Sequence, residues 1–163
     1  VNSIKFTRQA YQKKKYAFVI DPVRLQLLRE HGGIWLDTDI EIIKNLDPLL
    51  ELPAFMSFES DTLLHTGIVG SEKGAAWTDE YWKYMNRKPF IRWNGRLNKT
   101  PSTVIISRIL KKRGVKLDNT FQIYDDSLHI FPKDYFCPKD YKTGKITITD
   151  NTYCIHHFAG SWK

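Results

Sequence analysis

Apolar residues recur along this 163-residue chain with two periodicities, one typical of helices and one typical of strands. The helical periodicity predicts four helices, at 3–15, 21–31, 75–85 and 102–112. Shorter apolar or alternating runs predict strands at 34–36, 40–42, 54–58, 66–69, 120–124, 130–131, 145–149 and 153–158. An apolar run at 16–20 fits either structure, and 45–48 reads as a turn. Because helices separate short strands and neither linker nor repeat intervenes, the pattern predicts one α/β domain over 1–163.

The helix predicted at 21–31 has recognisable signals at both of its ends. Asp21 fits an N-cap and Pro22 the first helical position, while Gly32 can adopt the left-handed conformation that ends helices. Asp21 and Arg24 lie three residues apart and share a helix face. They therefore fit a cap with a local ion pair, or a carboxylate for sugar hydroxyls beside a guanidinium for phosphate.

The triplet Asp37-Thr38-Asp39 follows the short apolar strand at 34–36 directly. Alternate side chains of an extended segment share a face, so Asp37 and Asp39 project together. Two neighbouring carboxylates at the end of a buried strand repel each other, and Mg²⁺ or Mn²⁺ removes that cost. The triplet predicts a metal site, although such a pattern in isolation also fits ordinary surface acids near a turn.

The last predicted strand ends in a short polar and aromatic segment. His156 and His157 alternate faces, so only one of them can point into a given site. Ser161 and Trp162 follow, and together these residues offer a metal ligand, a phosphate contact and a stacking surface. A histidine in this position also fits a packed or surface role.

The composition limits the kinds of partner and the cellular compartment that fit this protein. Twenty-five Lys and Arg residues against 18 Asp and Glu give a formal charge of +7, which favours nucleic acid, an acidic membrane surface or phosphorylated small molecules. Cys137 and Cys154 form neither a disulfide framework nor a zinc-binding spacing. We therefore expect reduced cysteines and a cytoplasmic location, with one bridge between the two as the alternative.

Two of these motifs resemble a known glycosyltransferase superfamily. The run 18–39 contains Asp-x-x-Arg, then Gly-Gly, then aromatic-Leu-Asp-x-Asp, and 156–162 contains a His…Ser-Trp ending. This combination is similar to the DXD sugar-binding region of bacterial capsular-polysaccharide glycosyltransferases, fungal initiating mannosyltransferases and the large clostridial glucosylating toxins. Three departures from the pattern are Pro22, the triplet 65–67 where an Asn is common, and the turn at 100–102.

The resemblance implies a GT-A-like, Rossmann-like nucleotide-sugar-binding fold with a Mn²⁺ or Mg²⁺ ion. It also implies retaining transfer of a hexose from a UDP- or GDP-sugar to a saccharide or lipid-linked saccharide acceptor, in capsular or cell-surface polysaccharide synthesis. No nucleic-acid partner is implied. The basic charge adds an expectation of peripheral contact with an anionic surface, at the inner face of a bacterial membrane.

The resemblance also assigns a role to each candidate residue. Asp39 would bind the metal directly, with His156 rather than His157 beside it, and Asp37 would contact the ribose, the sugar, the metal or a metal-bound water. The remaining candidates would hold donor hydroxyls and phosphate, namely Asp21, Arg24, Ser161 and Trp162. The sequence offers no evident covalent nucleophile.

Two other classes of function stay open on the residues alone. A metal-dependent nuclease or phosphotransferase would need further carboxylates near the first pair, for which Glu41, Glu59 and Asp61 are candidates. A non-catalytic nucleic-acid or polysaccharide binding module would use the basic clusters and exposed tryptophans.

Relatives of this kind place a first β-strand ahead of the Asp-x-x-Arg helix. Only about 20 residues precede Asp21 here, and none offers a convincing strand. We therefore expect a parallel α/β sheet that lacks its N-terminal strand in this chain.

Overall fold

The computed structural model describes residues 4–160, which form helices and short strands in alternation. The helices are α1 (Lys5–Gln12), α2 (Tyr16–His31), α3 (Asp47–Leu50), α4 (Ala76–Arg87) and α5 (Ser102–Lys111). The strands are β1 (Gly33–Leu36), β2 (Ile40–Ile42), β3 (Ala54–Ser60), β4 (Leu63–Leu64), β5 (Ile68–Ser71), β6 (Gln122–Tyr124), β7 (Leu128–Phe131) and β8 (Cys154–His156). A 3₁₀ turn occupies Lys133–Tyr135. The predicted α/β class is confirmed.

The main sheet has six strands in the order β1-β5-β3-β7-β6, with β4 paired to β3 beside this path. The pairing of β3 with β7 is parallel, whereas the other pairs of this sheet are antiparallel. The expectation of a parallel sheet was therefore wrong for most of its pairs. A separate antiparallel ribbon joins β2 to β8, and this ribbon brings the segment after β8 next to the aspartate triplet.

Both faces of the main sheet are covered by apolar side chains. Met56 and Phe58 of β3 belong to the larger cluster, which α1, α2, α4 and α5 complete. Phe55, which directly precedes Met56, points to the opposite face and packs with Phe136 in a smaller cluster. Gly70 is required beneath Phe55, because a Cβ there would lie 2.1 Å from the Phe55 ring. The alternation along β3 thus separates two cores, as expected for a strand inside a covered sheet.

The prediction that Asp21 caps a helix was wrong. Helix α2 begins five residues earlier, at Tyr16, and carries Pro22 in its interior. Phe18 and Val19 are buried in the larger core, and Phe18 packs against Phe90 with ring centroids 5.4 Å apart. Burial of this apolar run offsets the backbone hydrogen bond that Pro22 cannot donate. Asp21 therefore lies inside a helix and not at its end.

Two other predictions changed in the second half of the chain. The strand expected at 145–149 is absent from the described structure, where a single bridge joins Lys139 to Ile146 and the whole of 141–150 is exposed. Apolar and polar residues alternate in this segment, but neither face is buried against the core, so no strand forms there. The last strand is also shorter than predicted, because only Cys154–His156 pairs with β2.

The structure also shows the state of the two cysteines and the character of the helices. Cys137 and Cys154 are both buried free thiols, as expected. None of the helices in residues 4–160 combines the length and apolar character needed to cross a lipid bilayer.

Candidate active site

The aspartate triplet lies at the edge of a cleft of about 720 Å³. Strand β1 carries the chain to Asp37, whose N–H donates to the Gly67 carbonyl at 2.7 Å. A tight turn follows, in which the Ile40 N–H donates to the Asp37 carbonyl at 3.1 Å. The turn places Asp37, Thr38 and Asp39 together on the cleft wall. The two carboxylates share the cleft because of this turn, and not because of the extended alternation on which the prediction rested.

Arg24 lies beneath the triplet, almost completely buried at 5% exposure. Its Nη2 donates to Asp37 Oδ1 at 2.9 Å, and its Nη1 donates to the Thr66 carbonyl. The Trp35 indole N–H donates to the same Asp37 oxygen at 2.7 Å, and the guanidinium lies 5.3 Å from the Trp35 ring centroid. Asp37 Oδ1 is thus fully engaged, which leaves Oδ2 for a ligand in the cleft.

Asp21 is buried behind Arg24 and does not line the cleft. Its Oδ1 lies 4.0 Å from Arg24 Nη2 and has no hydrogen-bond partner among the described residues. Burial raises the pKa of this carboxyl to about 6, although the Arg24 charge and a hydrogen bond from Ser102 act to lower it. The contact that the structure shows for Asp21 is with Arg24, and its predicted contact with donor hydroxyls remains a prediction.

The raised pKa predicts how stability depends on pH. Between an unfolded pKa of 3.8 and a folded pKa of about 6, the folded state binds more protons than the unfolded state. Stability from this group is therefore lost as the pH rises through that window, by up to about 3 kcal/mol. Relative to wild type, Asp21→Asn should gain stability from pH 4 to pH 6 and stay level above it.

Urea unfolding at pH 4, 5, 6 and 7, with EDTA present, measures this difference. Asp126→Asn is the matched control, because Asp126 is exposed. A constant difference between Asp21→Asn and wild type across this range would contradict the assigned pKa.

Asp39 faces the segment that β8 brings to the cleft. Asp39 Oδ2 accepts a hydrogen bond from the Ala159 N–H at 2.9 Å and lies 3.3 Å from His156 Nε2. His157 points away, with its Nε2 2.6 Å from Glu41 Oε2 at the surface. Of the two histidines, His156 is the one that lines the cleft.

Asp37, Asp39 and His156 could hold a metal ion together. One ligand atom from each lies within 4.8 Å of the others. Two carboxylate oxygens suit Mg²⁺ or Mn²⁺, and the imidazole nitrogen favours Mn²⁺ over Mg²⁺. Burial lowers the pKa of His156, and the opposing effect of the Asp39 and Asp37 charges is smaller. The ring is therefore neutral at pH 7 and offers a lone pair to a metal. The residues present therefore fit the predicted ion.

His65 contacts His156 from the opposite side, a neighbour that the sequence did not assign. His65 is completely buried, and its Nε2 lies 3.0 Å from His156 Nδ1. Gly67 makes room for this arrangement, because a Cβ there would lie 2.7 Å from His65 Nε2 and 3.3 Å from Asp37 Oδ2. The triplet 65–67, which departs from the family pattern, thus packs directly against the candidate metal ligands.

The extra carboxylates needed by a two-metal nuclease do not gather here. Glu41 is bonded to His157, and Asp61 pairs with Lys133 at 2.7 Å on the surface. Glu59 does line the cleft, and burial raises its pKa to about 7. Within residues 4–160, however, Glu59 joins neither of the ligand groups that could hold a metal.

Aromatic rings close one side of the cleft. Phe158 has a left-handed backbone, with a φ of 53°, and its ring centroid lies 4.1 Å from that of His156. Tyr141 lies beyond it, with centroids 6.1 Å apart. Ser161 and Trp162, predicted to contact the diphosphate, fall outside the described residues, so their roles remain predictions.

Comparison with known proteins adds evidence for the first part of the chain. Residues 1–56 match the profile of a family described as the glycosyltransferase sugar-binding region containing the DXD motif. The matched residues include Arg24 and both aspartates of the triplet. These matches support a DXD-type glycosyltransferase. The mixed α/β architecture is consistent with a GT-A-like fold.

Three curated proteins are similar over part of their length. Inositol phosphoceramide mannosyltransferase 3 of Schizosaccharomyces pombe is 39% identical over 54 residues, which is 33% of this chain and 15% of that protein. Mannosyl phosphorylinositol ceramide synthase CSH1 of Saccharomyces cerevisiae is 39% identical over 51 residues, which is 31% of this chain and 14% of that protein. An uncharacterized glycosyltransferase, L373 of Acanthamoeba polyphaga mimivirus, is 32% identical over 96 residues, which is 58% of this chain and 38% of that protein.

This chain therefore spans well under half the length of each of these three relatives. No solved structure matches it.

Proposed function

We propose that residues 1–163 form a single catalytic domain of a metal-dependent hexosyltransferase that uses a UDP- or GDP-sugar. The observation that carries this proposal is the convergence of Asp37, Asp39 and His156 on one cleft, with the guanidinium of Arg24 beneath them. The match of residues 1–56 to a glycosyltransferase sugar-binding region supports it independently.

The charges of the cleft suit a diphosphate leaving group. A bound Mn²⁺ would stabilise the negative charge that develops on the departing diphosphate. Arg24 keeps Asp37 oriented and partly neutralised through their 2.9 Å hydrogen bond, and Asp37 Oδ2 would remain available to hold the ion. Because the Arg24 side chain is almost completely buried and those of Asp37 and Asp39 are partly buried, their electrostatic contacts act more strongly than they would in water.

The proposed acceptor and stereochemistry draw on the relatives and on the sequence resemblance. The names of the two fungal relatives refer to mannosyl transfer and to inositol-containing ceramides, which supports mannose as the first sugar to test and a lipid-linked acceptor. The sequence resemblance supports retention of anomeric configuration and a role in capsular or cell-surface polysaccharide synthesis. The formal charge of +7 supports a location at the inner face of a bacterial membrane. In front-face retention the leaving phosphate oxygen would take the acceptor's proton.

A thermal shift screen tests the proposal directly. The melting temperature is measured with UDP, GDP and other nucleotides, each with and without Mn²⁺, and slow hydrolysis of UDP- and GDP-sugars is followed in parallel. We expect one nucleotide to stabilise the chain only when Mn²⁺ is present, because the ion links the diphosphate to the carboxylates. Stabilisation by DNA or RNA alone would overturn the proposal in favour of a nucleic-acid function.

A further inference from the structure

A second group of metal-binding side chains lies on the inner side of His156. It consists of His65, Cys137 and His156, whose ligand atoms lie within 4.8 Å of one another. His65 Nε2 is 3.0 Å from His156 Nδ1, and Cys137 Sγ is 3.9 Å from the same nitrogen. His65 is fully buried and Cys137 is 2% exposed.

Three separate parts of the backbone hold these side chains in place. His65 follows β4, and its N–H donates to the Ser57 carbonyl at 2.7 Å. Cys137 follows the 3₁₀ turn, and its N–H donates to the Lys133 carbonyl at 2.7 Å. His156 is the last residue of β8, paired with Ile40. Because each ligand is fixed by regular backbone contacts, the group is arranged before any ion binds.

We propose that His65, Cys137 and His156 form a second metal site that binds Zn²⁺. Two imidazoles and a thiolate are ligands that zinc takes readily, whereas Mg²⁺ and Mn²⁺ prefer oxygen. A tetrahedral zinc with its usual bond lengths places two nitrogens about 3.3 Å apart and a nitrogen and a sulfur about 3.6 Å apart. The distances of 3.0 and 3.9 Å lie close to this geometry.

A carboxylate next to His156 would support the zinc site. With zinc on Nδ1, the other ring nitrogen of His156 carries a proton and faces Asp39 Oδ2 at 3.3 Å. A ligating histidine that donates to a carboxylate is the usual support of a zinc site. Binding displaces the thiol proton of Cys137 to solvent.

His65 lacks such support. Its Nδ1 is buried without a hydrogen-bond partner among the described residues. Loss of one supporting contact typically weakens a zinc site by about 10- to 100-fold. We therefore expect zinc to bind reversibly, with a chelator able to remove it.

The two sites share His156 and so exclude each other. When zinc holds Nδ1, the protonated Nε2 has no lone pair for an ion at Asp37 and Asp39. Zinc should then weaken Mn²⁺ binding and act as an inhibitor. This consequence rests on the proposed function, whereas the zinc site itself does not.

Metal titration of the whole chain tests the site without any sugar nucleotide. Chelator-treated protein is titrated with Zn²⁺ against a chromophoric chelator, and with Co²⁺ to observe absorption from a thiolate–cobalt bond. We expect one reversibly bound Zn²⁺ per chain and a thiolate–cobalt band. Cys137→Ser should remove the band and weaken zinc binding at least 10-fold. Cys154→Ser, which alters the other buried cysteine, should leave both unchanged.

Further variants separate the possible outcomes. His65→Asn should weaken zinc binding by a similar factor. It replaces Cys137→Ser as the test if circular dichroism shows that Cys137→Ser does not fold. Asp37→Asn should leave the thiolate–cobalt band in place, because that carboxylate belongs only to the other group of ligands. The proposal is overturned if Cys137→Ser and His65→Asn bind zinc as tightly as wild type, or if only Asp37→Asn loses it. A nucleotide screen that fails while the band persists would reject the transferase and keep the zinc site.

Discussion

Replacing Asp39 by Asn is expected to abolish Mn²⁺-dependent nucleotide binding and to lower turnover by roughly 10²- to 10⁴-fold. Asp39 contributes a carboxylate to the cleft wall, at 3.3 Å from His156 Nε2. The substitution removes the charge but keeps an amide oxygen that can accept the hydrogen bond now donated by the Ala159 N–H. The fold should therefore remain while the ion is lost.

Isothermal titration with Mn²⁺ and nucleotide, together with the melting temperature without ligand, measures this effect. Glu41→Gln is the matched control, because Glu41 lies two residues further along the same segment and bonds to His157 outside the cleft. We expect wild-type binding for Glu41→Gln. Full activity in a folded Asp39→Asn protein would rule out the metal site at Asp37, Asp39 and His156.

Arg24→Met should be the most destabilising of the substitutions considered, by about 3–5 kcal/mol in the free energy of unfolding. Arg24 is 5% exposed and is the cation nearest to both Asp37 and Asp21. Methionine fills much of the same space but leaves those carboxylates without their counter-charge and the Thr66 carbonyl without its donor. Arg24→Lys should recover part of the loss, because lysine keeps the charge but not the planar fork.

Arg29→Met on the same helix provides the control for this prediction. Arg29 pairs with Asp79, and both side chains are about 40% exposed, so the pair is worth at most about 1 kcal/mol. Urea unfolding of the two methionine variants and of wild type compares the losses directly. Equal losses for Arg24→Met and Arg29→Met would show that burial of the Arg24 charge does not govern stability.

The parts of the site that could be predicted from the sequence are those fixed by local geometry. Asp37 and Asp39 are two residues apart directly after a short strand, so their closeness follows from the sequence, although a tight turn and not an extended segment directs both to the cleft. Arg24 is also close to Asp37 in sequence, because it lies 13 residues earlier and only the end of α2 and strand β1 separate them. The preference for His156 over His157 came from the family resemblance, and only the pairing of β2 with β8 places it beside Asp39.

The rest of the site depends on contacts between distant parts of the chain. His65 and Cys137 show no zinc spacing in the sequence, because the sheet and the 3₁₀ turn bring them together from separate regions. The position of Asp21 was mistaken for a similar reason. Its Asp-Pro signal is typical of a helix start, but burial of Phe18 and Val19 extends the helix past it. Tertiary packing overrode a correct local preference.

The pairing of β2 with β8 also determines when the ion site can exist during the life of the protein. Asp39 accepts a hydrogen bond from a backbone amide 120 residues further along the chain. Closing so long a loop costs entropy that nearby contacts must first offset, so this junction forms late in folding. A nascent chain on the ribosome carries Asp37 and Asp39 long before it carries His156. The chain therefore cannot bring His156 beside Asp39 until almost all of the described structure has been synthesised, and incomplete copies would lack the proposed ion site.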